Sequence, residues 1–132
     1  MARTHKPELV FLDTHIVCWL FEGRVELLSA LAAEAIERET LRVSPMVELE
    51  LQYLHEIGRI KHDADTVITA LNNDIGLQVD DQPLAGIVAQ ARNLSWTRDP
   101  FDRLIVAHAM LLETSLITRD QLIQQYYPKA LW

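Results

Sequence analysis

Short apolar runs alternate with longer stretches of helical periodicity along this chain. Four short runs of large or branched apolar residues predict strands at 9–12, 41–43, 76–79 and 115–118. Between them, apolar residues recur every three to four positions and predict helices near 14–21, 27–39, 45–57, 63–74, 83–93 and 101–113, with a short helix after Asp120. This alternation predicts a three-layer α/β/α fold around a central, mostly parallel sheet of four to five short strands.

Length and composition are those of one globular domain over residues 1–132. The chain is 49% hydrophobic and 23% charged, which suffices for a core without disulfides or a structural metal. The single Cys18 lies between Val17 and Trp19 and has no partner for an internal disulfide. This favours a reducing compartment. No apolar run approaches the roughly 18 residues of a membrane span, so we expect a cytoplasmic protein without a membrane segment.

The charge balance narrows the classes of function. Twelve Lys and Arg stand against 19 Asp and Glu, for a formal charge of −7. A protein that coats DNA or RNA normally has an excess of basic residues that neutralises phosphates. General coating of nucleic acid is therefore excluded, and the position of the acidic residues becomes the question.

Several acidic residues fall where the predicted strands end. Asp13 follows the first strand, Asp120 follows the strand at 115–118, and Asp102 lies near the start of a helix that Asp99 and Pro100 precede. The carboxyl ends of parallel strands are where such folds bind ligands. Each residue taken singly also suits helix capping, because carboxylates near a helix start accept backbone N–H bonds and Pro is tolerated there.

Glu50 is harder to assign to a cap. On the helix that begins at Ser44-Pro45, a rotation of about 100° per residue places Glu50 in the middle of an apolar sector. The sector contains Met46, Val47, Leu49, Leu51, Tyr53, Leu54 and Ile57. Glu48 falls on the opposite, solvated side. A buried carboxylate needs a cationic partner, so Glu50 is either paired with an arginine or part of a metal site.

The helix at 101–113 favours convergence of the acids. It is apolar nearly all round, which predicts burial and delivers Asp102 to the interior edge of the sheet. His108 on this helix is expected to be a core or interface histidine with one hydrogen bond. Carboxylates brought together repel each other and favour hard cations such as Mg²⁺ or Mn²⁺. Such ions support phosphodiester hydrolysis.

Four sequence blocks in chain order resemble one known family. They are Leu12-Asp13-Thr14-His15, then Val43-Ser44-Pro45 with Glu50, then Arg98-Asp99-Pro100-Phe101-Asp102-Arg103, then Thr118-Arg119-Asp120. This order is similar to the PIN-domain family and, more narrowly, to the VapC toxins of bacterial toxin–antitoxin pairs. The resemblance implies a PIN-like fold and an endoribonuclease that uses one or two Mg²⁺ or Mn²⁺ ions.

The resemblance also implies roles for particular residues. The acids matching the family's catalytic, metal-binding set are Asp13, Glu50, Asp102 and Asp120, with Asp99 as a further metal residue or a helix cap. The residues expected at the RNA are Arg98, Arg103, Arg119, Thr14 and Thr118. For Arg103, an ion pair with a neighbouring acid is an equally weighted alternative. Leu49 stands where many relatives have an aromatic residue, which affects packing but not the ligand assignment.

The partners implied are an RNA substrate, a cognate VapB-like antitoxin and a second copy of the chain. Helices around residues 16–21 and 30–36 are apolar enough to supply the antitoxin or dimer surface. One alternative function stays open, a catalytically silent PIN-like binding module that acts through protein or RNA partners. A complete set of four acids argues against it.

Overall fold

A five-stranded sheet forms the centre of the fold in the computed structural model, which describes residues 5–132. Residues 1–4 of the expected domain lie outside this part. The strands are β1 (Leu9–Leu12), β2 (Thr40–Val43), β3 (Gln78–Val79), β4 (Ser115–Ile117) and β5 (Ala130–Leu131). They lie in the order β3-β2-β1-β4-β5, and all neighbouring strands are parallel. The α/β prediction is confirmed.

Within residues 5–132, seven α-helices connect and follow the strands. They are α1 (Thr14–Phe21), α2 (Ala30–Arg38), α3 (Pro45–Glu56), α4 (Ala64–Ile75), α5 (Leu84–Ala91), α6 (Pro100–Leu111) and α7 (Gln121–Tyr126). No helix within residues 5–132 combines the length and apolar character needed to cross a bilayer.

Two details differ from the sequence prediction. The helix predicted to begin at 27 begins at Ala30, because the Ser29 side chain accepts the Ala32 N–H and caps it, while Val25–Leu27 form a separate 3₁₀ turn. Strand β5 was not predicted. It has only two residues, too few for an alternating pattern to show in the sequence.

The core lies against β1 and α6. Phe11 and Leu12 in β1 are fully buried, and five consecutive α6 residues from Ile105 to Ala109 have no exposed surface. The predicted burial of this helix is confirmed. In the sheet, Leu12 is opposite Ile117, and the N–H of Asp13 extends the ladder to the Ile117 carbonyl at 3.0 Å. The residues that follow β1 and β4 therefore lie side by side.

Candidate active site

Asp13 is the buried centre of the site. It follows β1 and is only 4% exposed. Its Oδ1 accepts the Thr14 N–H at 2.8 Å and so caps α1, while its Oδ2 accepts the Thr118 hydroxyl at 2.7 Å. A carboxylate held through both oxygens has a fixed orientation. Asp13 thus presents its remaining lone pairs in one direction.

Helix α3 brings Glu50 to the same place. The Thr14 hydroxyl donates to Glu50 Oε1 at 2.5 Å, which joins the first turn of α1 to the middle of α3. Burial raises the pKa of Glu50, the Thr14 hydrogen bond opposes that rise, and the charges of Asp13 and Asp99 add to it. Within residues 5–132 Glu50 forms no salt bridge, so the arginine-paired alternative is not realised there.

The face of α3 that carries Glu50 is narrower than the helical projection indicated. Val47 and Leu51 are buried, whereas Leu49 and Tyr53 are 54% and 47% exposed. Glu50 therefore lies at the margin between the buried and exposed parts of the apolar sector and not in the middle of a buried face. At this margin the Glu50 carboxylate can reach a site at the protein surface while the aliphatic part of its side chain stays packed.

The pKa of the Asp102 carboxyl indicates that the other acids lie near it. Burial first, and then the charges of Asp13, Asp99, Asp120 and Glu50 in that order, together raise the pKa of this carboxyl to about 7. An Asp of ordinary environment titrates near 3.9. The charges of the four other carboxylates thus reach Asp102, which supports placing the five acids at the same edge of the sheet.

Asp99 and Asp120 are helix caps as well as members of the cluster. Asp99 Oδ1 accepts the N–H groups of Phe101 and Asp102, and Asp120 Oδ1 accepts those of Leu122 and Ile123. Capping uses one oxygen of each carboxylate. In the described part of the chain no hydrogen bond engages either Oδ2, so capping leaves an oxygen available for a ligand.

The five residues Asp13, Glu50, Asp99, Asp102 and Asp120 suit a hard divalent cation by their chemistry. Every donor is a carboxylate oxygen, and the pKa values of Asp102 and Glu50 are raised by burial first and by the neighbouring negative charges second. Across residues 5–132, however, no three His, Cys, Asp or Glu side chains already stand close enough to enclose an ion. A hydrated ion, bound partly through water as Mg²⁺ commonly is, fits this looser arrangement.

Thr14 and Thr118 support the acids through hydrogen bonds. Thr118 is fully buried and Thr14 is 4% exposed, and their hydroxyls bind Asp13 and Glu50. Thr118 Oγ1 also accepts the Asp120 N–H at 3.0 Å. The expected contact of these hydroxyls with RNA does not fit their burial. Their position favours orientation of the carboxylates instead.

The three arginines expected at the RNA occupy different places. Arg119 is exposed beside Asp120, and Arg98 is exposed in the loop before α6. Arg103 instead lines a depression between α5 and α6 together with Val88. None of the three forms an ion pair within residues 5–132, so the alternative interpretation of Arg103 is not realised there.

Two aromatic residues near the acids have contacts that the sequence did not reveal. His15 Nε2 accepts the Arg119 N–H at 2.9 Å, and its Nδ1 lies 3.6 Å from Asp13 Oδ2. Trp96 is partly buried and stacks in parallel on Tyr126 with ring centroids 5.1 Å apart. For His15, the sequence signal available was its position two residues after Asp13. Nothing in the sequence paired Trp96 with Tyr126.

Burial also decides the chemistry of Cys18. The pKa of its thiol is raised to about 11 by burial first and then by the charges of Glu22 and Glu50. A thiol of this kind stays protonated at neutral pH and is a poor nucleophile.

Comparisons with known proteins agree with this geometry. The family model described as PIN domain matches residues 10–128, which is most of the chain. No curated protein sequence gives a significant match.

Three solved structures share the fold at low sequence identity. A toxin–antitoxin complex from Klebsiella pneumoniae is 22% identical with a TM-score of 0.68, covering 93% of this chain and 96% of that one. VapBC2 from Rickettsia felis, bound to a promoter DNA fragment, is 18% identical with a TM-score of 0.64, covering 95% and 98%. VapBC-1 from nontypeable Haemophilus influenzae is 19% identical with a TM-score of 0.57, covering 89% and 94%.

Proposed function

This chain belongs to the PIN-domain family, and from that premise we propose that it is a VapC-like endoribonuclease dependent on Mg²⁺ or Mn²⁺. The observation that carries the proposal is the state of Asp102. Burial and four neighbouring carboxylates raise its pKa to about 7. An uncompensated cluster of this kind costs stability and is retained where a cation or a reaction needs it.

The chain's residues supply binding and orientation. We assign Asp13, Glu50, Asp102 and Asp120 to hold the ion, with Asp99 able to reach it through water. A bound divalent cation neutralises phosphate charge and activates water for phosphodiester hydrolysis. The hydroxyls of Thr14 and Thr118 hold two of these carboxylates in place.

The first experiment tests whether RNA cleavage depends on a divalent metal ion. The purified chain is incubated with total RNA in Mg²⁺, Mn²⁺ or EDTA, and products are examined for 5′-phosphate ends. Cleavage is expected only with a divalent ion. Asp102→Asn and Glu50→Gln should each lower the rate at least about 100-fold, as loss of a metal-holding carboxylate does.

A matched control comes from the same helix. Glu48 is exposed and is not among the acids acting on Asp102, so Glu48→Gln should cleave at nearly the wild-type rate. Equal cleavage by Asp102→Asn, Glu50→Gln and wild type would refute the site. Absence of cleavage by the wild type with every ion, together with RNA binding, would favour the silent binding module.

We also propose a protein partner and a cytoplasmic location. The three structural neighbours are toxin–antitoxin complexes, which supports a cognate VapB-like antitoxin for this chain. Co-expression with the protein encoded beside it in the native genome is the test. A stable complex without ribonuclease activity is expected, and release of the partner should restore cleavage.

A homodimer is proposed on a different observation. Leu49 and Tyr53 on α3 and Ile57 at its C-terminal cap lie at intervals of four and are each about half exposed. This apolar stripe runs beside Glu50 and continues to Phe101, whose ring lies 5.9 Å from that of Tyr53. A contiguous apolar surface of this kind typically marks a protein interface. It differs from the helices at 16–21 and 30–36 that the sequence suggested.

A further inference from the structure

A depression opens directly beside the acidic cluster, between α1 and the start of α7. It has a volume of about 350 Å³ and is lined by His15, Trp19, Arg119, Asp120 and Gln121. Small-ligand sites in proteins commonly measure about 300–1,000 Å³. Asp120 belongs to both the depression and the cluster, so a molecule bound here would extend from the acids.

His15 fixes one wall of the depression. Its Nε2 accepts the backbone N–H of Arg119 at 2.9 Å, which assigns the ring proton of the neutral imidazole to Nδ1. That nitrogen faces Asp13 Oδ2 at 3.6 Å. The imidazole is therefore anchored by the Arg119 N–H, and it lies between this wall and the buried centre of the acidic site.

Trp19 supplies a rigid aromatic surface. Its ring meets His15 edge to face at a centroid distance of 5.2 Å and meets Trp132 at 6.2 Å. The side chain nevertheless remains partly exposed and lines the depression. An aromatic ring held in place by its neighbours binds a planar partner with little loss of conformational entropy, and nucleobases are such partners.

The polar groups of the depression complement the remaining parts of a nucleotide. Arg119 is exposed and forms no ion pair within residues 5–132, and a guanidinium binds phosphate in a bidentate manner. Gln121 is exposed at the first position of α7. Its amide offers both donors and an acceptor, which can distinguish one base edge from another.

We propose that this depression binds the nucleotide next to the scissile phosphate and that Gln121 and Trp19 determine its base preference. The inference rests on the proposed ribonuclease function and adds a specificity subsite to it. In this arrangement the base lies against Trp19, Gln121 contacts its edge, and Arg119 holds the adjoining phosphate next to Asp120.

The test compares kcat/KM on four RNA oligonucleotides that differ only in the base beside the cleavage site. Gln121→Ala should change the ratio between the best and the worst substrate at least fivefold. Gln125→Ala is the matched control, because Gln125 is exposed one turn further along α7 and does not line the depression. Arg119→Ala should raise KM for all four substrates alike.

A second measurement is independent of cleavage. The four nucleoside 5′-monophosphates are titrated with Mg²⁺ present while NMR follows the Gln121 amide and the Trp19 indole N–H. Both signals should shift with at least one nucleotide, whereas the Gln125 amide should not.

The possible results separate this subsite from the ribonuclease function. Cleavage with equal substrate ratios in wild type and Gln121→Ala would overturn the subsite and leave the ribonuclease intact. Shifts of Gln121 and Trp19 without any RNA cleavage would retain nucleotide binding in the depression and refute the ribonuclease. No shift with any nucleotide and no effect of Gln121→Ala would overturn the subsite altogether.

Discussion

Thr118 donates its hydroxyl hydrogen to Asp13 Oδ2 at 2.7 Å, and the same oxygen, Oγ1, accepts the N–H of Asp120 at 3.0 Å. The fully buried side chain of Thr118 thus joins Asp13 and Asp120. These two acids lie 107 positions apart in the sequence and follow two neighbouring strands. Loss of a group that orients a metal-binding carboxylate commonly lowers metal affinity or activity about 10- to 100-fold.

Thr118→Val should therefore weaken the site without disturbing its shape much. Valine fills a similar volume but has no hydroxyl, so Asp13 loses a donor and the Asp120 N–H loses its acceptor. We expect metal affinity and RNA cleavage to fall about 10- to 100-fold. Titration with Mn²⁺ and single-turnover cleavage measure the two effects.

Thr118→Ser is the matched control for that change. Serine keeps the hydroxyl and removes only a buried methyl group, so cleavage should stay within a few-fold of wild type while stability falls by about 1 kcal/mol. Equal loss of activity in the Val and Ser variants would show that packing, and not the hydroxyl, makes Thr118 important.

Asp102 should make the metal-free protein less stable as pH rises. Its folded pKa of about 7 exceeds the ordinary value of 3.8, so the folded state binds a proton that the unfolded state releases. This stabilisation is complete below about pH 4 and is lost as pH rises through 7. Asp102→Asn should consequently stabilise the protein at pH 8 by about 1–2 kcal/mol, a figure reduced for partial exposure.

Urea denaturation in EDTA at pH 5 and pH 8 checks that difference. The stabilising effect of Asp102→Asn should be large at pH 8 and small at pH 5. Asp65→Asn, an exposed carboxylate outside the cluster, should have little effect at either pH. A pH-independent effect of Asp102→Asn would mean that the cluster does not repel Asp102 as described.

The same proton should compete with a metal ion. Binding of a divalent cation requires the charged form of Asp102, of which roughly a tenth is present at pH 6 and nine-tenths at pH 8 for a pKa of about 7. Mg²⁺ affinity should therefore be roughly tenfold weaker at pH 6. Calorimetric titrations at the two pH values measure this, and equal affinities would exclude Asp102 as a group coupled to the ion.

The apolar stripe on α3 gives a prediction about assembly. If Leu49, Tyr53 and Ile57 form a dimer surface, the chain should elute with the mass of two 15.1 kDa subunits, and Tyr53→Glu should convert it to a monomer. Glu48→Gln on the polar side of α3 should leave the dimer unchanged. A monomeric wild type would refute the dimer and leave the stripe for another partner.

Periodicity and capping made much of the fold predictable from the sequence. Strand β1, helix α3 and helix α6 have strong local patterns, and Ser44-Pro45 and Asp99-Pro100 mark helix starts. The acids were predictable for the same reason, because the chain order places Asp13 and Asp120 after strands. Their proximity follows from parallel topology alone.

Contacts across the fold were not predictable. The position of Glu50 at the margin of a buried face depends on how α3 packs, and the helical projection has no information on packing. Asp80 is a second example. No sequence pattern indicated a role for it, yet it is buried and accepts hydrogen bonds from His108, Arg42 and Gln82. Those partners come from three separate segments.

The group formed by Asp80, His108 and Arg42 links the sheet to α6. The expected single hydrogen bond of His108 is confirmed as the 2.8 Å contact of Nε2 with Asp80 Oδ1, and Arg42 Nη1 donates to Oδ2 at 2.9 Å. Burial acts to raise the pKa of Asp80, but the hydrogen bonds from His108, Gln82 and Arg42 outweigh it and hold the pKa below its usual value. Its stabilisation is therefore present above about pH 4 and lost in more acidic solution.

Asp80→Ala should be the most destabilising of these substitutions at pH 7. It leaves the buried His108 ring and the partly exposed Arg42 guanidinium without their acceptor, and a buried polar group that loses its hydrogen-bond partner costs about 1–3 kcal/mol. Asp81→Ala is the control, because Asp81 is adjacent and exposed. Urea denaturation of both variants in EDTA measures the cost without a contribution from metal. A cost for Asp80→Ala no larger than that for Asp81→Ala would show that this buried group does not hold α6 against the sheet.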